Sequence, residues 1–239
     1  MRIAIVTGGS MGLGKALCLQ LQQADYRVVE FSRSAPHGFS RHLDLAAPES
    51  VPDAVDAALK PFDALACTEL LLINNAGTLS PIGPAWRNDA ADTLANLSTN
   101  ISSAILVIAQ VMKHFRQAPC RKLVVNVSSG AALKGYAGWS LYCASKAAME
   151  GFIRAVAVEE QTQPHPFLAI SVDPGVMDTG MQALIRATPQ EDFPEVARFV
   201  SRCEAGGLAA PDAVAEAIIR LISFDTLQPG GRCDAPMGS

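Results

Sequence analysis

Short, almost wholly apolar runs alternate along the chain with longer segments whose apolar residues follow a helical period. Unbroken aliphatic runs are typical of strands buried on both faces of a parallel sheet. In chain order, the pattern predicts strands over 2–6, 26–31, 41–45, 69–73, 122–127, 167–172 and 231–234. It predicts helices over 12–23, 49–59, 90–117, 140–161 and 211–223, with a break near Asn100. The alternation indicates an α/β fold, a doubly wound parallel sheet of about seven strands with helices on both faces.

Nothing along the chain marks a boundary between domains. There is no internal repeat, low-complexity tract or linker of changed composition, so we expect one domain over 1–239. The stretch 177–207 fits the alternation poorly, because it holds Pro189, Pro194 and the pair Gly206-Gly207 and has little strand character. Excursions beyond the C-terminal end of a strand are where α/β folds build ligand sites. We therefore predict a substrate lid over 176–210, which we call the lid segment.

Composition and charge narrow the class of protein. Of the 239 residues, 49% are hydrophobic and 18% are charged, and the formal net charge is -4. No stretch is dense in lysine or arginine, so we expect neither a nucleic acid nor an acidic membrane surface as partner. The unbroken apolar runs are much shorter than the roughly 18–20 residues of a membrane span, so we expect no membrane partner. The six cysteines form no CxxC pair and no zinc-type cluster, so we expect no metal site and a cytoplasmic protein with reduced thiols.

A glycine-rich turn, TGGSMGLG at 7–14, follows the first predicted strand and opens the first predicted helix. Glycines permit a tight turn and let a pyrophosphate approach the backbone, and the helix N-terminus offers unpaired N–H groups. Such turns also serve packing alone, but the strand–turn–helix context is the one that dinucleotide binding requires. The predicted contacts are Gly8, Ser10, Met11, Gly12, Leu13 and Gly14.

The end of the second predicted strand indicates which dinucleotide binds. NAD-binding domains usually carry an acid about 20 residues beyond the glycines, where it holds the ribose 2′-hydroxyl. Here the corresponding residues are Ser32, Arg33 and Ser34. An arginine and two hydroxyls can bind a 2′-phosphate, whereas a surface arginine in water is the alternative. The pattern favours NADP(H) over NAD(H).

Tyr142 and Lys146 lie four residues apart near the start of the helix predicted over 140–161, so they share one helix face. An ammonium near a phenol lowers the phenol's pKa from about 10 and prepares it for acid–base work. Ser129 ends the strand predicted over 122–127 and can polarise a substrate carbonyl through its hydroxyl. Asn74-Asn75-Ala76-Gly77 and Asp173-Pro174-Gly175 end two further strands, at the edge where such sheets bind ligands.

Taken in order, these motifs resemble those of the short-chain dehydrogenase/reductase family, whose fold is of the Rossmann type. The similar motifs are TGxxxGxG at 7–14, an Asp after the third strand, NNAG at 74–77, a helix Asn, Ser128-Ser129, YxxxK at 142–146 and PGxxxT at 174–179. The resemblance spans most of the chain and implies a catalytic tetrad of Asn100, Ser129, Tyr142 and Lys146.

The resemblance also implies a role for each of these residues. Tyr142 acts as general acid in reduction, Ser129 orients the carbonyl, and Lys146 holds the nicotinamide ribose. Asn100 supports a water chain to Lys146, with a helix-capping role as the alternative. Further implied cofactor contacts are Asp44, Leu45, Asn75, Ala76, Gly77, Pro174, Gly175, Val176 and Thr179.

A finer resemblance concerns the branch within the family. GYAGWSLYC at 135–143 and PGVMDTGMQ at 174–182 are similar to stretches of sepiapterin reductases and bacterial benzil reductases. This implies an NADPH-dependent carbonyl reductase acting on one carbonyl of a vicinal dicarbonyl, with Trp139 and Met181 lining the substrate pocket. Asp234 occupies a place comparable to the acid that anchors the pterin in sepiapterin reductases. Ordinary packing of Trp139 and solvation of Asp234 are the alternatives.

Three other functions stay open at this point. One is reduction of a pterin side-chain ketone, and another is a different short-chain enzyme, such as an acyl-carrier-protein ketoreductase or an NAD-dependent alcohol oxidase. The third is a redox sensor that binds NADP(H) without turnover, against which the complete Ser129, Tyr142 and Lys146 set argues. The resemblance further implies a homodimer that pairs through the helices at about 101–117 and 140–161.

Overall fold

The computed structural model describes residues 1–224 and 226–235. Within these ranges, seven parallel strands form one sheet in the order β3-β2-β1-β4-β5-β6-β7. The strands are β1 Arg2–Thr7, β2 Arg27–Ser32, β3 Ser40–His42, β4 Glu69–Asn74, β5 Arg121–Val127, β6 Phe167–Asp173 and β7 Arg232–Asp234. The order reverses at β1, which is the doubly wound arrangement that the sequence predicts.

Helices cover both faces of this sheet. They are α1 Gly12–Gln23, α2 Val51–Leu59, α3 Ala90–Leu97, α4 Ser103–His114, α5 Ser140–Glu160, α6 Gly180–Ala187, α7 Val196–Glu204 and α8 Pro211–Ile222. Pro48 begins a single 3-10 turn before α2, so that helix begins two residues later than predicted. A proline suits the first turn because it has no N–H to leave unpaired.

The apolar strand runs exist because side chains on both faces of the sheet are buried. Ile3 and Ile5 of β1 point into the core beneath α2, α4 and α5. Ala4 and Val6 of the same strand point into the opposite core, beneath α1 and α8. Alternation along β1 therefore places successive aliphatic side chains in one core and then the other, so both faces of the strand are buried.

The predicted break near Asn100 is a π-helical turn, Ser98–Ser102, which joins α3 and α4 into one continuous helix. By length and composition alone, the combined helix Ala90–His114 is apolar enough to cross a membrane. Counting unbroken apolar runs overlooked this helix, because polar residues on its other face interrupt the run along the sequence. Val107, Ile108 and Val111 of that face are buried in the core that packs on the sheet.

The lid segment contains two helices, α6 and α7, where the sequence predicted no regular element. Its ends are held together by a parallel bridge between Met177 and Ala209, with hydrogen bonds on both sides. Between the helices, Phe193 is fully buried against Trp139. The segment therefore folds as a compact excursion beyond β6, which places its two helices beside the sheet's carboxyl edge.

Candidate active site

A cavity of about 960 Å³ runs along the carboxyl edge of the sheet, where the ends of β1, β2, β4, β5 and β6 meet. Most of the residues predicted for the cofactor and the reaction line it. They are Gly8, Ser10, Met11, Gly12, Leu13, Gly14, Ser32, Arg33, Ser34, Asp44, Leu45, Asn75, Ala76, Gly77, Ser129, Trp139, Tyr142, Lys146, Pro174, Gly175, Val176, Thr179 and Met181. Asn100 lies behind the cavity wall.

The glycine-rich turn is closed by direct contact with the end of β4. A side chain at Gly14 would place its Cβ 2.2 Å from the Gly8 carbonyl oxygen, and Gly8 itself has a φ of +71°. The Asn75 side-chain amide donates to the carbonyls of Thr7 and Gly8, at 3.0 and 3.1 Å. In return, the Thr7 hydroxyl accepts the Ala76 N–H at 3.0 Å. The turn thus presents bare backbone to the cavity, as a pyrophosphate site requires.

Glu30 is a site residue that sequence reasoning missed. It is fully buried in β2, and its carboxylate accepts the Gly9 N–H at 2.9 Å and the Ser32 hydroxyl at 3.1 Å. The Ser32 oxygen in turn accepts the Ala35 N–H at 3.1 Å. The one hydroxyl hydrogen of Ser32 is therefore already used, and Arg33 and the neighbouring serine are the exposed donors. An acid inside an otherwise apolar strand was the available signal.

Tyr142 is buried at the reactive end of the cavity, next to Ser129. Burial raises the pKa of Tyr142 to about 12, and the carboxylate of Asp173 acts in the same direction. The nearby Ser129 hydroxyl acts against this by favouring the phenolate. We predicted that Lys146 lowers the pKa of Tyr142. In the protein alone this pKa is instead raised, because burial has the largest effect on it. The phenol consequently keeps its proton at neutral pH.

The Lys146 ammonium lies 5.6 Å from the centre of the Tyr142 ring. It donates a hydrogen bond of 2.7 Å to the Val127 carbonyl at the end of β5. Burial lowers the pKa of Lys146 to about 8, while the carboxylates of Asp173 and Glu150 raise it. The charge on this lysine therefore changes close to neutral pH.

Asn100 is buried in the π-helical turn and contacts backbone beside the NNAG motif. Its side-chain oxygen accepts the Thr78 N–H, and its amide donates to the Thr78 carbonyl, both at 2.8 Å. The amide also lies 3.4 Å from the Ser145 hydroxyl on α5. Its side chain thus links the end of β4 to the helix that carries Tyr142, and it does not cap a helix.

An ionic cluster behind the serines was not predicted. Arg232 on β7 bonds to Glu150 on α5 and, at 2.6 Å, to Asp173 at the end of β6. The Ser128 hydroxyl donates to Glu150 at 2.5 Å, and Arg232 also reaches the Ser129 carbonyl. These residues are far apart in the sequence and belong to no local motif, so no pattern in the sequence pointed to them.

Aromatic side chains line the substrate end of the cavity. Trp139 stacks on Phe193 at 4.4 Å, contacts Phe199 of α7 at 5.5 Å, and meets the Tyr142 ring edge-on at 5.9 Å. The Trp139 indole N–H and the Gln182 side-chain oxygen are buried without a hydrogen-bond partner among the described residues. A flat apolar ligand with polar substituents suits such walls.

Asp234 is not brought to this cavity. It lies at the exposed end of β7, paired in register with Asp173, and does not line the cavity within the described ranges. Its proposed role as a substrate anchor therefore finds no geometric support.

Comparison with known proteins agrees with the arrangement of the turn, the serines and the YxxxK helix. A family model described as short chain dehydrogenase matches residues 2–190. The chain belongs to the short-chain dehydrogenase family. It is 32% identical to a benzil reductase ((S)-benzoin forming) from Bacillus cereus, over 96% of this chain and 97% of that protein. It is 30% identical to the sepiapterin reductase of Meriones unguiculatus, over 97% of this chain and 95% of that protein.

The fold comparison gives the same family. The crystal structure of the KRED1-Pglu enzyme matches with a TM-score of 0.83 at 28% identity, over 97% of this short-chain dehydrogenase and 100% of that chain. Family membership makes the protein an oxidoreductase that uses a nicotinamide cofactor. The relatives of nearly full length support a reductase that acts on the carbonyl group of a small molecule.

Proposed function

We propose that this protein reduces one carbonyl of a vicinal dicarbonyl with NADPH, with Tyr142 as the general acid. The observation that carries the proposal is the buried phenol of Tyr142 beside the Ser129 hydroxyl, at the foot of an aromatic wall. The likeness to benzil reductase over almost the whole chain supports the substrate class. An aryl group can lie along Trp139 and Phe199, with its adjacent carbonyl at the phenol.

The chain's own residues fit an NADP(H) cofactor. The bare backbone at Gly8 and Gly14 suits the pyrophosphate, and exposed Arg33 and Ser34 suit a 2′-phosphate. Glu30, the acid nearest to this position, is engaged with the Gly9 N–H and with Ser32. When bound, the nicotinamide supplies the hydride. Asp44, Leu45, Asn75, Ala76, Gly77, Pro174, Gly175, Val176 and Thr179 complete the proposed cofactor contacts.

The proposed proton transfer follows from the acidities in the site. Tyr142 keeps its proton because burial raises its pKa to about 12, so it can donate to the oxygen of a carbonyl that is being reduced. Ser129 donates a hydrogen bond to the same oxygen and stabilises its growing charge. Lys146 steadies the phenolate that forms, and Asn100 holds the backbone at Thr78 that borders the site. A role for Asn100 in a water chain to Lys146 remains part of the proposal.

Other features belong to the same proposal. The lid segment, 176–210, covers the substrate, and the whole chain, 1–239, works as one domain and as a homodimer. All six cysteines are free thiols, which fits a reducing compartment such as the cytoplasm.

A pterin side-chain ketone is the second candidate substrate. Trp139 lines the cavity, so a pterin ring can lie against the surface of its indole. The match to sepiapterin reductase over nearly the whole chain favours the same candidate.

The test is NADPH consumption with benzil, 1-phenyl-1,2-propanedione and sepiapterin, with NADH run in parallel. We expect turnover of the diketones with NADPH and much weaker turnover with NADH. A preference for sepiapterin would transfer the proposal to the second candidate. Binding of NADPH with no turnover of any of the three would contradict the reductase and revive the sensor.

A further inference from the structure

The feature that the mechanism leaves unexplained is the ionic cluster of Glu150, Asp173 and Arg232. Glu150 is 5% exposed, yet it is a charged residue in the middle of α5, one helical turn beyond Lys146. Burying a carboxylate is unfavourable unless partners compensate its charge. Arg232 and the Ser128 hydroxyl are those partners, so specific contacts compensate the buried charge of Glu150.

The cluster contacts the catalytic segment at the backbone and at one side chain. Arg232 donates to the Ser129 carbonyl at 3.3 Å and to the Ser128 hydroxyl at 3.2 Å. It also ties β7 to β6 through Asp173. The position of the Ser129 hydroxyl therefore depends on strand β7, which supplies no residue to the tetrad.

The charges in the cluster do not cancel among themselves. Two carboxylates face one guanidinium, which leaves one negative charge in a buried place. Arg154 lies 3.7 Å from Glu150, but its side chain is 62% exposed, so water screens it. Lys146 lies one helical turn from Glu150 on α5, and its ammonium donates to the carbonyl of Val127, the residue before Ser128, so it is a cation placed to balance the excess.

We propose that Glu150, Asp173 and Arg232 form a positioning cluster that fixes Ser129 and supplies the counter-charge that keeps Lys146 protonated. The inference rests on the proposed function, because it assigns the cluster to the Tyr142–Lys146 pair. Among the described residues, the charged groups that act on this pair are Asp173 on β6 and Glu150 on α5, and Arg232 on β7 is bonded to both. Cys143 lies beside Tyr142 on α5.

The first variant is Glu150→Gln, which keeps the shape and removes one negative charge. The remaining cluster is then neutral, so the protonated form of Lys146 loses support and its pKa falls. Reduction needs this lysine charged, so activity persists at low pH and is lost as pH rises through that pKa. The decline of kcat at high pH is the alkaline limb of the pH profile. We expect this alkaline limb to move to lower pH by on the order of one pH unit. The affinity for NADPH should change little.

The second variant is Arg232→Met, which removes the positive charge and leaves both carboxylates uncompensated. The negative charge near Lys146 increases, so the alkaline limb is expected to move to higher pH. Arg232→Lys keeps the charge and should restore the position of the limb. Opposite shifts from two variants that both weaken packing are a result that a merely structural cluster would not produce.

The matched control is Glu160→Gln, at the other end of the same helix. Glu160 is also a buried carboxylate, and it forms a two-pronged ion pair with Arg116 at 2.6 Å. It lies far along α5 from Lys146. Its loss should lower the melting temperature as much as Glu150→Gln does, while the pH profile stays that of the parent protein.

A second readout separates this inference from the proposed function. The titration of Lys146 can be followed without any substrate by NMR of 13C-labelled lysine, with the signal assigned through Lys146→Arg. We expect its pKa to fall in Glu150→Gln and to rise in Arg232→Met, even if no diketone is reduced. An unchanged Lys146 titration in both folded variants would overturn the cluster's role, and absent turnover with shifted titrations would overturn only the reductase.

Discussion

At the residue scale, the acidity of Tyr142 matters most for the direction of the reaction. Its burial raises its pKa to about 12, so at neutral pH the phenol is protonated and does not act as a base. A reductase needs a proton donor at the carbonyl oxygen, whereas an alcohol oxidase needs a base. The protonated phenol of Tyr142 therefore fits the proposed role of general acid in reduction.

Replacing Tyr142 with Phe removes the proton donor and keeps the ring. We expect kcat for diketone reduction to fall by roughly 10²–10⁴-fold, the usual contribution of a general acid. The dissociation constant for NADPH, followed by cofactor fluorescence, should stay within about twofold of the parent value. Tyr26→Phe, at the far end of β2, is the control, and near-normal turnover in Tyr142→Phe would remove Tyr142 from the mechanism.

A second prediction at the residue scale concerns Arg33, the proposed partner of the cofactor's 2′-phosphate. Its substitution by Ala should leave the fold unchanged and remove the guanidinium that would pair with this phosphate. We expect KM for NADPH to rise on the order of tenfold or more while KM for NADH changes little. The control is Arg27→Ala, an exposed arginine at the opposite end of the same strand. Equal effects on both cofactors would refute the assignment of Arg33.

At the element scale, one close backbone contact joins the lid segment to the loop before α5. Gly138, in the loop before α5, has a φ of +84°. A Cβ on it would lie 2.0 Å from the Asp192 carbonyl oxygen in the lid segment. The lid's position is thereby tied to the loop that precedes Tyr142, which brings Phe193 against Trp139.

Gly138→Ala is expected to push the lid segment away from this loop. The aromatic wall then shifts against Tyr142, so we expect kcat/KM for the diketone to fall tenfold or more, on the order of what an ångström of misplacement costs. NADPH affinity should change much less, because Gly138 contacts the lid at Asp192, 13 residues along the chain from Thr179, the last of the lid's proposed cofactor contacts. Gly135→Ala is the control, since no atom lies within 4 Å of its added Cβ. Parallel losses for cofactor and substrate would argue against a lid effect.

At the scale of the whole molecule, one core lies on each face of the sheet, and α5 covers one of these cores while it carries Tyr142 and Lys146. Its outer side exposes Ala144, Ala147, Ala148 and Ala155, and Val158 is 65% exposed. Small side chains let a second helix approach closely. This surface fits the predicted homodimer.

We expect sedimentation equilibrium to give twice the mass of the chain. Ala155→Arg places a long charged side chain in the middle of the proposed contact and should yield a monomer. Ala57→Arg, on the exposed side of α2, should leave the dimer intact. A monomeric mass for the unmodified protein would contradict the predicted assembly.

How much was predictable follows from how far apart the interacting residues lie. The strand pattern, the glycine turn, the Tyr142–Lys146 pair and the serine at the strand end depend on local period and spacing. Those features were sufficient for the fold class and the family, both of which are confirmed. The two helices of the lid segment were missed because they are short, and because Pro189, Pro194 and Gly206-Gly207 around them were read as signs of irregular structure.

The sequence by itself determined the α/β fold and the candidate tetrad, because chain-local geometry creates both. Only the tertiary structure decided that Glu30 uses the Ser32 hydroxyl, that Asp234 stays outside the cavity, and that Arg232 pairs with Glu150 across 82 positions of sequence. Parallel strands bring distant residues to one edge of the sheet, and burial then fixes which charges must pair. Neither effect produces a periodic pattern that can be recognised in the sequence.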